Sequence, residues 1–203
     1  QIHFQNYKDT LQLAGLANAA MTSVARTVVG TACTVLASAF LGYMFTQQKM
    51  WHRKLWYRMM VITMYFNAGL IPMFMTMKNL GLTNHFWVYI IPAIVQPFNI
   101  IMVKTYVESL PSSLQEAAEM DGAGVLVRFF RVTLPLCTPI LATIAIWAAV
   151  GQWNSFQDTL LYVTDQKLYT LQYILYTYFN QASSLATLVK SSQTMTTIAN
   201  IVT

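Results

Sequence analysis

Charge is what this chain has least of. Aspartate, glutamate, lysine and arginine together make up 9% of 203 residues, against about a quarter in soluble globular domains. A soluble domain of this length would need polar outer faces that the sequence does not supply. Cysteine is nearly absent as well. Cys33 and Cys137 both sit in apolar stretches, with no CxxC or Cys/His spacing. That excludes a disulfide scaffold and a zinc site and leaves two small hydrophobes inside helices. The three histidines, His3, His52 and His85, are scattered, so no metal or catalytic constellation forms. No Gly-rich phosphate loop of the Walker type occurs, so the chain is expected not to hydrolyse ATP itself. Internal repeats and low-complexity tracts are missing too.

Hydrophobic residues make up 56% of the chain, and the mean hydropathy is positive. The composition reads as an all-α polytopic membrane protein. Four spans of roughly the 20 residues needed to cross a bilayer are expected, near Ala19–Phe45, Met59–Met77, His85–Val107 and Val132–Phe156. A fifth apolar run begins near Thr194. The chain opens on Gln1 and stops within that run, so it reads as part of a longer protein. Pro72, Pro92, Pro97, Pro135 and Pro139 punctuate the spans. Kinks there would splay helices around a cavity or simply shape the bundle.

Loop charge sets the orientation. The first connection, TQQKMWHRKLWYR, carries Lys49, Arg53, Lys54 and Arg58 and no acid, which predicts a cytoplasmic loop. The next, KNLGLTN, is short and predicted external. The third, residues 108–131, then falls in the cytoplasm with Arg128 and Arg131. The polar, Tyr-rich stretch 157–193 falls outside. The segment before the first span is predicted external, with an odd number of spans preceding it.

Residues 114–136, LQEAAEMDGAGVLVRFFRVTLPL, break the apolar pattern. Pro111 ends the preceding helix. Ser113 and Glu116 fit a capping box. Leu114, Ala117, Ala118 and Asp121 then share one helical face, and Gly122 suits a left-handed helix stop. A second short helix is expected over 124–131, with re-entry into the membrane at Pro135. Two helices this short need a surface to lie against.

This stretch resembles the EAA loop of ABC importer permeases: Glu-Ala-Ala, three residues, Gly, nine residues, an aliphatic, one residue, Leu-Pro. Glu116, Ala117, Ala118, Gly122, Leu134 and Pro135 fit, and Val132 stands where isoleucine is usual. The flanks FNAGLIPMFMTMKNLGLTNHFW, YVESLPSSLQEAAEMDGA and GQWNSFQDTLLYVTDQKLYTLQYIL resemble the carbohydrate-uptake branch. Within it they are most similar to permeases of the lipoprotein- and polysaccharide-associated type, including the alginate oligosaccharide importer. The resemblance implies a MetI-like helical bundle with a cytoplasmic coupling helix, spanning 1–203 as one permease domain whose loop is 108–131. Six spans are implied in the full protein, so the first and most of the last would lie outside this chain. It implies a bacterial inner-membrane location, a second permease subunit of different sequence and two cytoplasmic ATPase subunits that hold ATP and Mg. It also implies an extracytoplasmic solute-binding protein and an oligosaccharide substrate. Glu116, Ala117, Ala118, Asp121 and Gly122 would be the residues that meet the ATPase. The permease itself would hold no cofactor.

Polar residues inside spans are costly and often functional. Asn67, Gln96, Asn99, Gln152, Asn154 and Arg26 are the candidates. Trp153 and Asn154, with Asn99, would line a sugar path, an indole face beside amide donors. The competing reading makes Trp153 an interfacial anchor and the amides helix glue. Arg26 is expected to snorkel to the outer interface, or else to draw an acidic sugar inward. A proton-coupled transporter working alone would need acids at span centres. None is there.

Overall fold

The computed structural model describes residues 15–202, with side chains through Leu188. Every regular element among the described residues is helical. The longest of the early helices, α1 (Leu16–Met44), has 29 residues and is long and apolar enough to cross a membrane. Its burial is inverted relative to a soluble helix. Ala19, Ser23, Arg26, Gly30, Thr34, Ser38 and Gly42, three or four apart, form the inward stripe. Met21, Val24, Val28 and Leu36 face outward. Where the surroundings are as apolar as the core, helices gain nothing by hiding leucine from lipid. Close approach of small residues drives packing instead.

Gly42 shows how close that approach is. A Cβ there would stand 2.7 Å from the Cβ of Val103 and 3.2 Å from the Ile100 carbonyl oxygen, both on α4 (Pro97–Ser109). Gly42→Ala is expected to destabilise the bundle by about 1–3 kcal/mol, the usual cost of overpacking. Val24→Ala on the outward face should cost little. Thermal unfolding of the purified subunit in detergent checks both. An unshifted midpoint for Gly42→Ala would mean the two helices are not in contact there.

Three of the expected spans are broken. The stretch expected as Met59–Met77 forms two helices, α2 (Arg53–Tyr65) and α3 (Leu70–Asn79), bent by 119°. Phe66 is extended, and the Asn67 side-chain oxygen accepts the Gly69 amide at 2.9 Å. This is an Asn-directed turn that competes with helix hydrogen bonding. The stretch expected as His85–Val107 starts as 3₁₀ turns over Phe86–Tyr89 and Ile91–Ala93 and meets α4 at 48°. Gln96 is extended, as a residue before proline prefers, and Pro97 opens α4.

The loop helix α5 covers Ser112–Met120. The expected capping box does not form. Pro111 occupies the cap position, no side chain caps the helix, and Ser113 lies inside the first turn. The second short helix does not stop at Arg131 either. Helical structure runs from Val125 to Leu136 (α6), with a π turn over Phe129–Thr133. It bends by 78° into α7 (Thr138–Asn154), so the long helix expected from Val132 starts six residues later. The bend has a chemical cause. Pro139 has no N–H to give the Pro135 carbonyl, and the Thr138 hydroxyl donates to it instead at 2.6 Å.

The stretch expected as a polar outer loop is mostly helical: α8 (Gln157–Tyr162), a 3₁₀ turn at Gln166–Leu168, and α9 (Leu171–Val202). The apolar run near Thr194 therefore lies within a helix that starts at Leu171. The first core joins α1, α4, α6 and α7 through Tyr43, Val103, Phe129 and Ile144. The second, at the other end of the bundle, joins α3, the 3₁₀ turns and α8 through Met77, Tyr89, Ile90 and Tyr162.

Candidate functional site

Two features lie outside ordinary packing: the surface of α5 and a polar cavity between α1, α4 and α7.

Helix α5 ends in a Schellman motif. The Ala123 amide bonds the Ala118 carbonyl and the Gly122 amide bonds the Glu119 carbonyl, both at 3.0 Å. Gly122 has φ +77°, the left-handed conformation that favours glycine. The last carbonyls are thereby satisfied and the chain turns sharply into α6. Glu116, Ala117, Asp121 and Gly122 are all exposed, and Ala118 is half-buried toward the bundle. Leu114 and Met120 are exposed as well, Met120 at 88%. The expected contact residues thus share one open, partly apolar surface around a small alanine. Nothing else in the chain covers it among the described residues.

That surface is anchored from behind. Glu119 pairs with Lys49 of the α1–α2 connection, and its other oxygen accepts from Arg128 Nη1 at 2.9 Å. The Lys49 hydrogen bond, then the charges of Lys49 and Arg128, hold the Glu119 carboxyl below the usual carboxylate range. Because that folded-state pKa is depressed, the tie is present at neutral pH and is lost only on acidification below the ordinary range. Arg128 is buried. Next to it Phe129 packs on Phe40 and Tyr43, with ring centroids 5.6 and 5.3 Å away. The Tyr43 hydroxyl donates to the Val125 carbonyl at 3.3 Å. Arg128 and Phe129 therefore link α5 to the end of α1. The sequence reading missed Glu119, Lys49 and Arg128 as a unit. Opposite charges either side of a glycine turn were the available signal for Glu119 and Arg128. Lys49 gave none.

The cavity has a volume of about 390 Å³ and is lined by residues that include Arg26, Gln96, Asn99, Trp147, Gln152 and Asp158. Arg26 does not snorkel. It is 2% exposed. Its Nε donates to Gln152 Oε1 at 2.8 Å, Nη1 donates to the Ser155 carbonyl at 3.1 Å, and Nη2 pairs with Asp158. The guanidinium also lies 4.6 Å from the Tyr89 ring centroid. Inside the bundle this net is a better environment than a distant interface, because three acceptors and an aromatic face replace water. Asn99 lines the cavity, whereas Trp153 and Asn154 do not. On α7 the lining positions are Trp147, Ala148, Gly151 and Gln152, followed by Ser155 just past its end. At 100° per residue Trp153 points away from that face, and it is exposed together with Asn154.

Residues 34–201 match the family model described as "Binding-protein-dependent transport system inner membrane component". The chain belongs to this family. It has a MetI-like helical fold.

The chain is 36% identical over 155 residues to the polygalacturonan/rhamnogalacturonan transport system permease protein YtcP of Bacillus subtilis, covering 76% of the chain and 54% of that relative. It is 25% identical over 206 residues to the melibiose/raffinose/stachyose import permease protein MelC of the same organism, covering 99% of the chain and 75% of that relative. A crystal structure of a bacterial ABC transporter involved in the import of the acidic polysaccharide alginate superposes with a TM-score of 0.80 at 30% identity. The match covers 84% of the permease chain and 61% of the other. The chain thus spans about half the length of YtcP.

Proposed function

We propose that this permease forms half of the translocation path of a binding-protein-dependent importer for oligosaccharides. Residues 1–203 act as one permease domain, paired in the membrane with a second permease of different sequence. Two ATPase subunits bind ATP and Mg and supply the energy, and an extracytoplasmic binding protein delivers the sugar. The permease contributes no cofactor. Loop 108–131 faces the cytoplasm, and Glu116, Ala117, Ala118, Asp121 and Gly122 on α5 seat in a cleft of one ATPase subunit. When ATP closes the ATPase pair, the cleft carries α5 with it and the bundle turns from inward- to outward-facing.

The observation that carries this reading is the open face of α5, exposed yet rigidly backed through Glu119. A loosely held loop would absorb motion; a capped helix tied at two points transmits it. The cytoplasmic assignment draws support from charge: Lys49 touches Glu119, so α5 shares an end with Arg53, Lys54 and Arg58, and basic ends stay inside. The sugar assignment draws support from YtcP, MelC and the alginate transporter, each named for a saccharide.

The test is ATP hydrolysis by the reconstituted complex in liposomes, with its binding protein and a panel of neutral and acidic oligosaccharides. Stimulation of several-fold by one sugar class is expected. A panel without effect, alongside stimulation by an amino acid or phosphate, would reassign the substrate.

A further inference from the structure

The cavity between α1, α4 and α7 holds a polar side chain that the fold itself leaves without a partner. Asn99 is more than nine-tenths buried and lines the cavity. Among the described residues its amide makes no side-chain hydrogen bond. The amide opens onto the cavity and is free to bond whatever occupies it. Next to it Phe98 and Trp147 lie roughly parallel, with ring centroids 6.2 Å apart and planes at 25°. Both rings are about half exposed and both line the cavity. An apolar wall with a few convergent polar groups is the usual make-up of a small-molecule site.

Charge decides what such a site would accept. The charged residues lining the cavity are Arg26 and Asp158, and they are paired with each other. Arg26 gives its Nε to Gln152 and one Nη1 hydrogen to the Ser155 carbonyl, its charge is balanced by Asp158, and it is almost fully buried. A carboxylate entering the cavity would find no free cation. It would meet Asp158, whose side chain keeps about a third of its surface open. Asp158 Oδ2 takes both Arg26 and the Ser155 hydroxyl, while Oδ1 takes no bond among the described residues. That oxygen is an acceptor for a hydroxyl.

We infer that this cavity is a subsite for one uncharged, hydroxyl-bearing sugar ring. The ring's C–H face lies on Trp147 and Phe98, Asn99 bonds its hydroxyls, and Asp158 accepts one more. This rests on the oligosaccharide reading above and narrows it: if the substrate carries uronates, their carboxylates are recognised outside this cavity.

The assembled transporter in nanodiscs, without its binding protein, is to be titrated with an oligogalacturonide and with its carboxyl-reduced neutral counterpart. Saturation-transfer NMR reads ring protons held against the protein. The neutral sugar should receive at least fivefold more transfer in the wild type than in Trp147→Ala or Asn99→Leu, and the uronate should show no such difference. Equal loss for both sugars, or undiminished transfer to the neutral sugar in both variants, overturns the subsite. Sugar-stimulated ATP hydrolysis by the wild-type complex with its binding protein is measured in parallel. If that stimulation is present while the subsite test fails, only the subsite is lost. If it is absent for every sugar, the oligosaccharide reading fails and the subsite with it.

Discussion

Gly122→Val is expected to lower substrate-stimulated ATP hydrolysis at least tenfold while the subunit still reaches the membrane and assembles. A Cβ at Gly122 would meet nothing within 4 Å, so the effect is conformational and not steric. The position needs φ +77°. A left-handed residue costs a non-glycine roughly 1–2 kcal/mol, more for a β-branched one. Helix α5 has nine residues and little stability of its own. A penalty of that size at its terminus frays the turn that holds Glu116, Ala117 and Asp121 in register. The series is graded: Gly122→Asn should be mildest, since asparagine tolerates the left-handed region, Gly122→Ala intermediate, and Gly122→Val worst. Basal hydrolysis, which needs no coupling to the permease, should change little. Equal activity across the series, with the complex assembled, would mean that the helix terminus does not transmit the motion.

The second large effect is expected at Arg26. Arg26→Leu leaves Asp158 without its partner and frees Gln152 Oε1 and the Ser155 carbonyl, all at the junction of α1, α7 and α8. Breaking a buried pair from one side costs about 3–5 kcal/mol. The lower end applies here because Asp158 retains contact with solvent. A loss of this size should appear as a clear fall in the thermal midpoint of the purified subunit. The double variant Arg26→Leu with Asp158→Asn should recover part of it, because the uncompensated charge is gone. If the double variant is no more stable than the single, charge pairing is not what holds this junction.

The two predictions mark where the sequence could be read directly and where it could not. The α5 surface was legible because its residues are contiguous and its geometry is local: Gly122 stops the helix where the spacing says it should. The capping box failed for an equally local reason, since Pro111 takes the cap position itself and places Ser113 within the helix. Apolar content located the crossing segments, but a hydropathy pattern has no view of backbone direction. The bends after Tyr65, before Pro97 and at Cys137 depend on a few residues each: the Asn67 side chain, a pre-proline conformation, and the hydroxyl of Thr138. Arg26 was misread because its partner, Asp158, is 132 residues away, and no periodicity links them. Along α7, Trp147 and Trp153 look equivalent in the sequence, and only the packing against α1 and α4 shows that Trp147 lines the cavity.

The central claim is that α5 is the part of this chain that meets the ATPase. The most direct measurement is cross-linking from a single cysteine at Ala117 in a background where Cys33 and Cys137 are replaced by alanine. With a short bifunctional reagent in the assembled complex, the adduct should contain the permease and one ATPase subunit, and its yield should change when ATP is added. A matching cysteine at Met75, on α3 away from that end of the bundle, should give none. If the Ala117 position yields no ATPase adduct, or yields the same as Met75, α5 is not the coupling surface.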